Sequence, residues 1–307
     1  GAADFRALTA AKPRSPPVHG ECSMAKTLTK AEQQQIDRLL KKGMIVPPQP
    51  QILESIYAEI DKPRISMTAI GKLIAQDVGL SATIFKLVNS PFYYTGKRIE
   101  RIDKAVLIIG LTALINVVKG VSLRKAIGGA EVAYQKFWER STDIALLTSI
   151  VACKQVSACN IAVDQAYITG LFHDCGVPIL MQRFPDYCAS FRLTEGTNWP
   201  DLPSEDRRFK TDHAVVGYLV ARHWQLPDFV CQAVRFHHDQ LHTEHAALTL
   251  AAMLQMATHL YNLAAGLADA EWGNRASHVL QEIGLNHDGL KEFEEDALDL
   301  FRAQNVR

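Results

Sequence analysis

The chain has 307 residues, of which 48% are hydrophobic and 21% are charged, as in ordinary globular proteins. Lysine plus arginine and aspartate plus glutamate both number 33, so the formal net charge is zero. Proteins that coat nucleic acid or an anionic membrane need a basic surplus to contact phosphates, so neither is expected as a partner.

Six cysteines occur without a C-x-x-C pair, and six cysteines in a chain of this length do not form a disulfide framework. They predict reduced thiols and a cytoplasmic location. The longest apolar stretch, residues 105–118, falls short of the roughly 20 residues that cross a bilayer, and Lys104 and Lys119 flank it. It is predicted to be a buried helix, and no export signal is indicated near Gly1.

Helical periodicity runs through most of the chain. After a proline-containing loose arm at 1–25, apolar residues recur with a period of 3.6 rather than 2, which predicts an all-α fold. The predicted helical stretches are 29–43, 51 to about 127, 137–160, 164–182, 211–224, 227–238, 244–265 and 289–304. Residues 194–210 contain prolines and many polar residues and are predicted to be a connector.

The same pattern suggests four regions. Residues 1–45 are predicted to be the arm and a first helix, and 46–130 an N-terminal helical lobe. Residues 131–265 form a second helical lobe, and 266–307 a C-terminal helical extension.

Residues 65–90 have the outline of a helix-turn-helix, with a turn at 77–79 and a second helix opened by Ser81. A helix that reads DNA must offer hydrogen-bond donors to base edges and phosphates. The second helix offers little beyond Lys86 and Asn89 beside apolar side chains. It is therefore predicted to be buried rather than to bind DNA.

Three separate segments each bring histidine to a predicted interior position, and these are the candidate metal ligands. The first ends on His173 and Asp174, the second carries His213 on its apolar face, and the third ends on His237 and His238. Imidazole with carboxylate suits a first-row transition metal such as iron, manganese or zinc. The other histidines are predicted to lie on the surface or to be incidental: His19, His223, His242, His245, His259, His278 and His287.

The order of "FHDCG" and "DHAVVGYLVARHWQLPDFVCQAVRFHH" resembles the HDOD family, the signalling relatives of the HD-domain metal-dependent phosphohydrolases. Upstream, "QDVGLSATIFKLVNSPFY" and "RIDKAVLIIGLTALINVV" resemble that family's N-terminal motifs, so the likeness covers about 46–265. It implies a two-lobed helical bundle, with a smaller N-terminal lobe packed on an HD-like lobe. It also implies a role in bacterial signal transduction, where most members have no demonstrated catalysis.

Three positions depart from the catalytic HD pattern that the resemblance implies. Arg140 stands where the first histidine ligand is expected, Thr258 where a late aspartate is expected, and Val177 where a lysine often follows. A permanently charged guanidinium cannot ligate a cation and repels it. The metal site is therefore expected to be degenerate, with Arg140 paired to Asp174 in the place of an ion.

Two functions remain open at this stage. The first is a non-catalytic regulatory module that binds a signalling protein or a small ligand and needs no cofactor. The alternative is a metal-dependent phosphohydrolase, acting on a nucleotide or a cyclic dinucleotide, in which the five candidate ligands hold one or two divalent metal ions that activate water. The oligomeric state is left open. The apolar faces of 29–43 and 289–304 either bind a partner or cap the core.

Overall fold

The computed structural model of the chain describes residues 43–89, 98–129, 131–238 and 245–305, together with Lys41. Every regular element in these ranges is a helix, and none is a strand, so the predicted all-α fold is confirmed. The predicted arm at 1–25 and nearly all of the helix at 29–43 lie outside the described residues.

Within the described residues 43–89 and 98–129 the chain forms four complete helices: α1 (Gln51–Ile60), α2 (Met67–Ala75), α3 (Val78–Val88) and α4 (Ile102–Ile127). Asp77 caps α3 by accepting a hydrogen bond from the backbone N–H of Leu80 at 3.0 Å. The second helix of the predicted helix-turn-helix therefore begins at Val78 and not at Ser81. Its Leu80, Ile84 and Val88 are buried, as its apolar spacing predicted.

Helix α4 contains the longest apolar stretch. It is long and apolar enough to cross a membrane, but 61% of its most apolar window is buried inside the protein, where it packs against α2 and α3. Gly110, with φ 78° and ψ 167°, interrupts the helical backbone and bends α4. A left-handed φ of this kind favours glycine, since it lacks a Cβ.

The remaining helices build the second part of the fold around a shared core. They are α5 (Val132–Lys154), α6 (Val156–Cys159), α7 (Val163–Phe172), α8 (Gly176–Arg183), α9 (Tyr187–Phe191), α10 (Leu202–Phe209), α11 (His213–His223), α12 (Asp228–Phe236), α13 (His245–Ala265), α14 (Trp272–Glu282) and α15 (Leu290–Asn305). The long helices α5, α7 and α13 pack on one another at its centre.

Two sequence predictions are wrong in this region. The stretch 164–182 is two helices, because the chain turns at 173–175 between α7 and α8. The predicted connector 194–210 contains α10, which Asp201 caps by accepting from the N–H of Ser204 at 2.9 Å. The sequence of α10 shows no apolar helical pattern, because only Glu205 and Phe209 of this helix are buried.

The predicted N-terminal lobe contacts the second lobe through specific polar groups as well as apolar packing. Lys119 of α4 donates to the backbone carbonyl of Gln225 at 2.7 Å, beyond the end of α11. Nearby, the indole N–H of Trp224 donates to the carbonyl of Pro47 at 2.9 Å. These bonds join groups far apart in sequence. The division of the chain into four regions stays a prediction.

Burial lowers the pKa of Lys119 to about 8, with a small opposing effect of Cys231. The unfolded chain keeps this proton up to a pH of about 10.5, so the unfolded state binds more protons between these values and stability rises with pH there. We expect the free energy of unfolding of the wild type, relative to Lys119→Met, to rise by about 1 kcal/mol between pH 7 and pH 9.

Urea unfolding of both proteins at the two pH values measures this difference. The matched control is Lys104→Met, which removes an exposed lysine of the same helix and should show no such change. A pH-independent difference between wild type and Lys119→Met would show that Lys119 does not titrate in this range.

Candidate functional site

The candidate ligands all lie at ends of helices. His173 and Asp174 follow α7, His213 is the first residue of α11, and His237 and His238 follow α12. At these ends the chain changes direction, so side chains from three helices converge on one buried point. Asp174 is the centre of this point, with 1% of its surface exposed.

Gly176 allows α8 to begin directly against the start of α11. A Cβ at this position would lie 2.1 Å from the backbone oxygen of His213, closer than any real contact. The absence of a side chain therefore lets the turn that carries Asp174 approach His213.

One oxygen of Asp174 contacts two histidines, and a third histidine contacts one of these. Oδ1 lies 3.3 Å from Nε2 of His213 and 3.2 Å from Nε2 of His237. Nε2 of His238 lies 3.1 Å from Nε2 of His213. Each of the four residues contributes one ligand atom, and all four atoms lie within 4.8 Å of one another. We refer to Asp174, His213, His237 and His238 as the four-donor cluster.

The second ring nitrogen of each histidine in the cluster already has a partner. Nδ1 of His213 lies 2.6 Å from a carboxylate oxygen of Glu205, and Nδ1 of His237 donates to the carbonyl of Val234 at 2.8 Å. Nδ1 of His238 lies 3.2 Å from the Glu271 carboxylate. With Nδ1 held outward, Nε2 of each ring faces the centre, as in metal sites whose histidines bond to outer acceptors.

The other oxygen of Asp174 faces Arg140, and this predicted contact is present. The guanidinium donates to Oδ2 at 2.8 Å, and the indole N–H of Trp199 donates to the same oxygen at 2.6 Å. The Arg140 guanidinium also lies 4.3 Å from the centre of the Trp199 ring, a cation–π contact. Oδ2 is thus enclosed by donors.

His173 belongs to this second side and not to the four-donor cluster. Its Nε2 lies 2.8 Å from Oδ2 of Asp174, and its Nδ1 donates to the carbonyl of Gly170 at 2.6 Å. The five predicted ligands therefore divide into a group of four and a separate histidine. Thr258 lines the cavity beside the cluster, whereas Val177 is buried in the hydrophobic core. That these positions are degenerate ligand positions stays a prediction.

Electrostatics differ sharply between neighbouring groups. Burial acts to raise the pKa of Asp174, but His173 and the other imidazoles outweigh it and hold this pKa well below its usual range. Burial acts to lower the pKa of His213, but Glu205 raises it to about 9. Burial and the adjacent imidazoles lower the pKa of His238 to about 3. A metal ion bound through Nε2 of His213 would displace a proton.

A cavity opens from the cluster toward the surface. Counted with its open mouth, its empty volume is about 440 Å³. Its walls are both aromatic and charged, and they consist of Arg140, His173, Asp174, Trp199, His237, His238, Leu254, Gln255, Thr258, Asp269, Glu271, Trp272 and Arg275. A small polar ligand could therefore contact the cluster from this side.

The residues of the cluster fit a single transition-metal ion. In a tetrahedral site with ligand bonds of about 2.1 Å, ligand atoms lie about 3.4 Å apart. Three of the six separations in the cluster, Oδ1 of Asp174 to His213 and to His237 and Nε2 of His213 to His238, are 3.1–3.3 Å, and all six lie within 4.8 Å. Three imidazoles with one carboxylate suit iron, manganese or zinc.

Sequence reasoning missed four residues around the site. Trp199 and Glu205 lie in the stretch predicted to be a connector, and Glu271 lies in the predicted extension. His259, predicted to be incidental, is 7% exposed and stacks on Trp272 with ring centres 3.9 Å apart. The sequence offered one signal for Trp199 and Glu205: a tryptophan in a polar stretch, followed by the helix start Asp201-Leu-Pro.

Comparisons with known proteins identify the family and the fold of this chain. Residues 46–240, more than half of the chain, match the family model of the HDOD domain. A candidate metal-dependent phosphohydrolase from Shewanella amazonensis SB2B is 20% identical, with a TM-score of 0.66, over 90% of this chain and 99% of that one. An HDOD domain protein with unknown function from Geobacter sulfurreducens is 22% identical, with a TM-score of 0.61, over 89% and 97%. At these identities the two structures show a shared fold.

A relative is also found by sequence. An uncharacterized protein of Treponema pallidum (strain Nichols) is 28% identical over 200 residues, which is 64% of this chain. The matched region spans only 38% of that protein's length.

The Arg140–Asp174 pair provides a direct test of the site's electrostatics. Replacing Arg140 by methionine removes the fixed cation that lies 2.8 Å from a buried carboxylate oxygen, so we expect Arg140→Met to lower the free energy of unfolding of the metal-free protein by about 3 kcal/mol. Chemical denaturation in the presence of a chelator measures this loss.

The matched control is Arg208→Met, which breaks an arginine–aspartate pair of similar length, 2.7 Å, whose side chains are both more than half exposed. We expect little change there, because water screens exposed pairs. Equal effects of the two substitutions would contradict the claim that Arg140 neutralises Asp174.

Proposed function

Because this chain belongs to the HDOD family and its central carboxylate is already paired with an arginine, we propose that it is a non-catalytic signalling module. Its four-donor cluster holds one divalent metal ion, which stabilises the fold and forms the floor of a ligand-binding cavity. The output is a protein or small-ligand contact and not a chemical reaction.

The observation that carries this proposal is the division of Asp174 between its two oxygens. A carboxylate that bridges two metal ions commonly offers one oxygen to each, and two metal ions of this kind occur in phosphatases and nucleases. Here Oδ2 accepts from Arg140 at 2.8 Å and from Trp199 at 2.6 Å. The fixed positive charge of Arg140 repels a second ion, so only the Oδ1 side is suited to hold a metal.

Four protein donors around one ion favour a structural rather than a catalytic site. Structural zinc sites use four protein ligands, whereas catalytic ones use three and keep a position for water. When bound, the ion would supply bonds that join the ends of α7, α11 and α12. His213, His237 and His238 would hold it with Asp174, and their outer acceptors would fix the rings.

One observation favours the second candidate, a metal-dependent phosphohydrolase. The cavity opens directly onto Asp174 and His238, and Arg140 and Arg275 are among its walls. Guanidinium groups are suited to phosphate. In that case the substrate would be a nucleotide or a cyclic dinucleotide, and the metal would need a position free for water.

Elemental analysis distinguishes the two candidates. We expect about one equivalent of iron, manganese or zinc per chain in the purified protein, and its loss in His213→Ala. The loss follows because that ring lies within the cluster, 3.3 Å from Asp174 Oδ1. The matched control is His223→Ala, an exposed histidine of the same helix, which should leave the metal content unchanged.

The metal-loaded protein is then assayed against bis(p-nitrophenyl) phosphate and cyclic dinucleotides, where we expect no turnover above buffer. Two ions per chain, or hydrolysis that His213→Ala abolishes while the variant keeps its helical circular dichroism, would support the phosphohydrolase instead. An empty wild-type protein that also binds no added metal would refute both metal-dependent proposals.

A further inference from the structure

Of the three histidines in the four-donor cluster, His238 is held by a different part of the chain. Its Nδ1 lies 3.2 and 3.3 Å from the two oxygens of Glu271, which directly precedes α14. The guanidinium of Arg275 donates both to Glu271 at 2.7 Å and to the backbone carbonyl of His238. The side chain and the backbone carbonyl of His238 are thus both bonded to residues at the start of α14.

This part of the chain lies outside the family match, which ends at residue 240. The other two histidines have their acceptors, Glu205 and the Val234 carbonyl, inside the matched region. The contacts to His238 therefore represent an addition to the site that the family domain alone does not contain.

The segment Asp269–Arg275 is itself anchored to the core. The ring of Trp272 stacks on His259 of α13 with an angle of 9° between the planes. Asp269 accepts from the backbone N–H of Trp272 at 3.0 Å and lies 3.3 Å from Nδ1 of His259. Nε2 of His259 lies 3.0 Å from Glu294 of α15. The position of Glu271 is therefore determined by the fold.

We propose that Glu271 is a positioning residue that sets the affinity and coordination geometry of the metal site through His238. This inference rests on the proposed function, since it requires the cluster to bind a metal. The Glu271 carboxylate keeps the hydrogen of His238 on Nδ1 and fixes the ring plane, so that Nε2 faces Asp174 and His213. Arg275 donates to both the Glu271 carboxylate and the His238 carbonyl, and so fixes their relative position.

The physical basis is the effect of an outer carboxylate on a ligating imidazole. An acceptor on the non-ligating nitrogen orients the ring and makes the ligating nitrogen more basic, and its removal typically lowers metal affinity 10- to 100-fold. His213 keeps a fully buried acceptor and His237 a backbone one, whereas Glu271 is a half-exposed side chain. His238 is thus the ligand of the cluster whose outer acceptor is a solvent-accessible side chain.

The experiment titrates the metal-free full chain with Co²⁺ against a chelating competitor and records the visible absorption, which reports coordination number and geometry. We expect Glu271→Gln to bind Co²⁺ 10- to 100-fold more weakly than the wild type, with an altered spectrum. Glu271→Asp retains a carboxylate and should restore part of the affinity. Arg275→Gln should weaken binding less than Glu271→Gln, because Glu271 remains.

The matched control is Glu292→Gln, which removes an exposed carboxylate of α15 and should bind as the wild type does. Circular dichroism and thermal unfolding without metal verify that each variant is folded. Undiminished affinity and an unchanged spectrum in both Glu271→Gln and Arg275→Gln overturn this inference alone. A wild type that binds no Co²⁺ overturns the proposed function and this inference with it.

Discussion

The site is organised around the buried carboxylate of Asp174, which has two different sets of partners. Isolated in the protein interior, the charge of Asp174 would be very unfavourable, and it would be lost by protonation. Arg140 and Trp199 neutralise and hydrogen-bond one oxygen, while imidazoles surround the other. Since the carboxylate turn lies between α7 and α8, the relative positions of these helices depend on this arrangement.

The arginine changes what such a centre can do. A guanidinium is a cation attached to the protein, so it supplies charge without exchange, loss or dependence on metal supply. The remaining oxygen and its three histidines are arranged in the way that suits one ion. With the proposed ion bound, the centre would combine a permanent cation with an exchangeable one on the two sides of the same carboxylate.

The acceptors that contact Nδ1 of the histidines lie at different sequence separations from them. Glu205 is eight residues from His213, whereas Glu271 is 33 residues from His238 and lies beyond α13. A ligand in the cavity would contact Trp199, Trp272 and Arg275, which also hold the centre from outside. Binding there would alter the same contacts that position the cluster, so a ligand would affect the protein's conformation through these contacts.

Local pattern was sufficient to predict much of this molecule. Helical spacing predicted the all-α fold and the burial of α3 and α4, because the period of the apolar residues indicates which face of an element is buried. The histidines were found because each follows an apolar helical face. Arg140 was singled out through family order. Trp199, Glu205 and Glu271 were not found, because their roles depend on contacts across the fold and their own neighbours are polar. Helix α10 was missed for the same reason.

The bond between Trp224 and the carbonyl of Pro47 has a consequence for how such a chain can be divided. The residues just before α1 lie against the turn between α11 and α12, so the start of one lobe provides an acceptor that the other lobe needs. A fragment that lacks Pro47 would lose this bond, at a cost of about 1 kcal/mol, and would uncover the indole of Trp224.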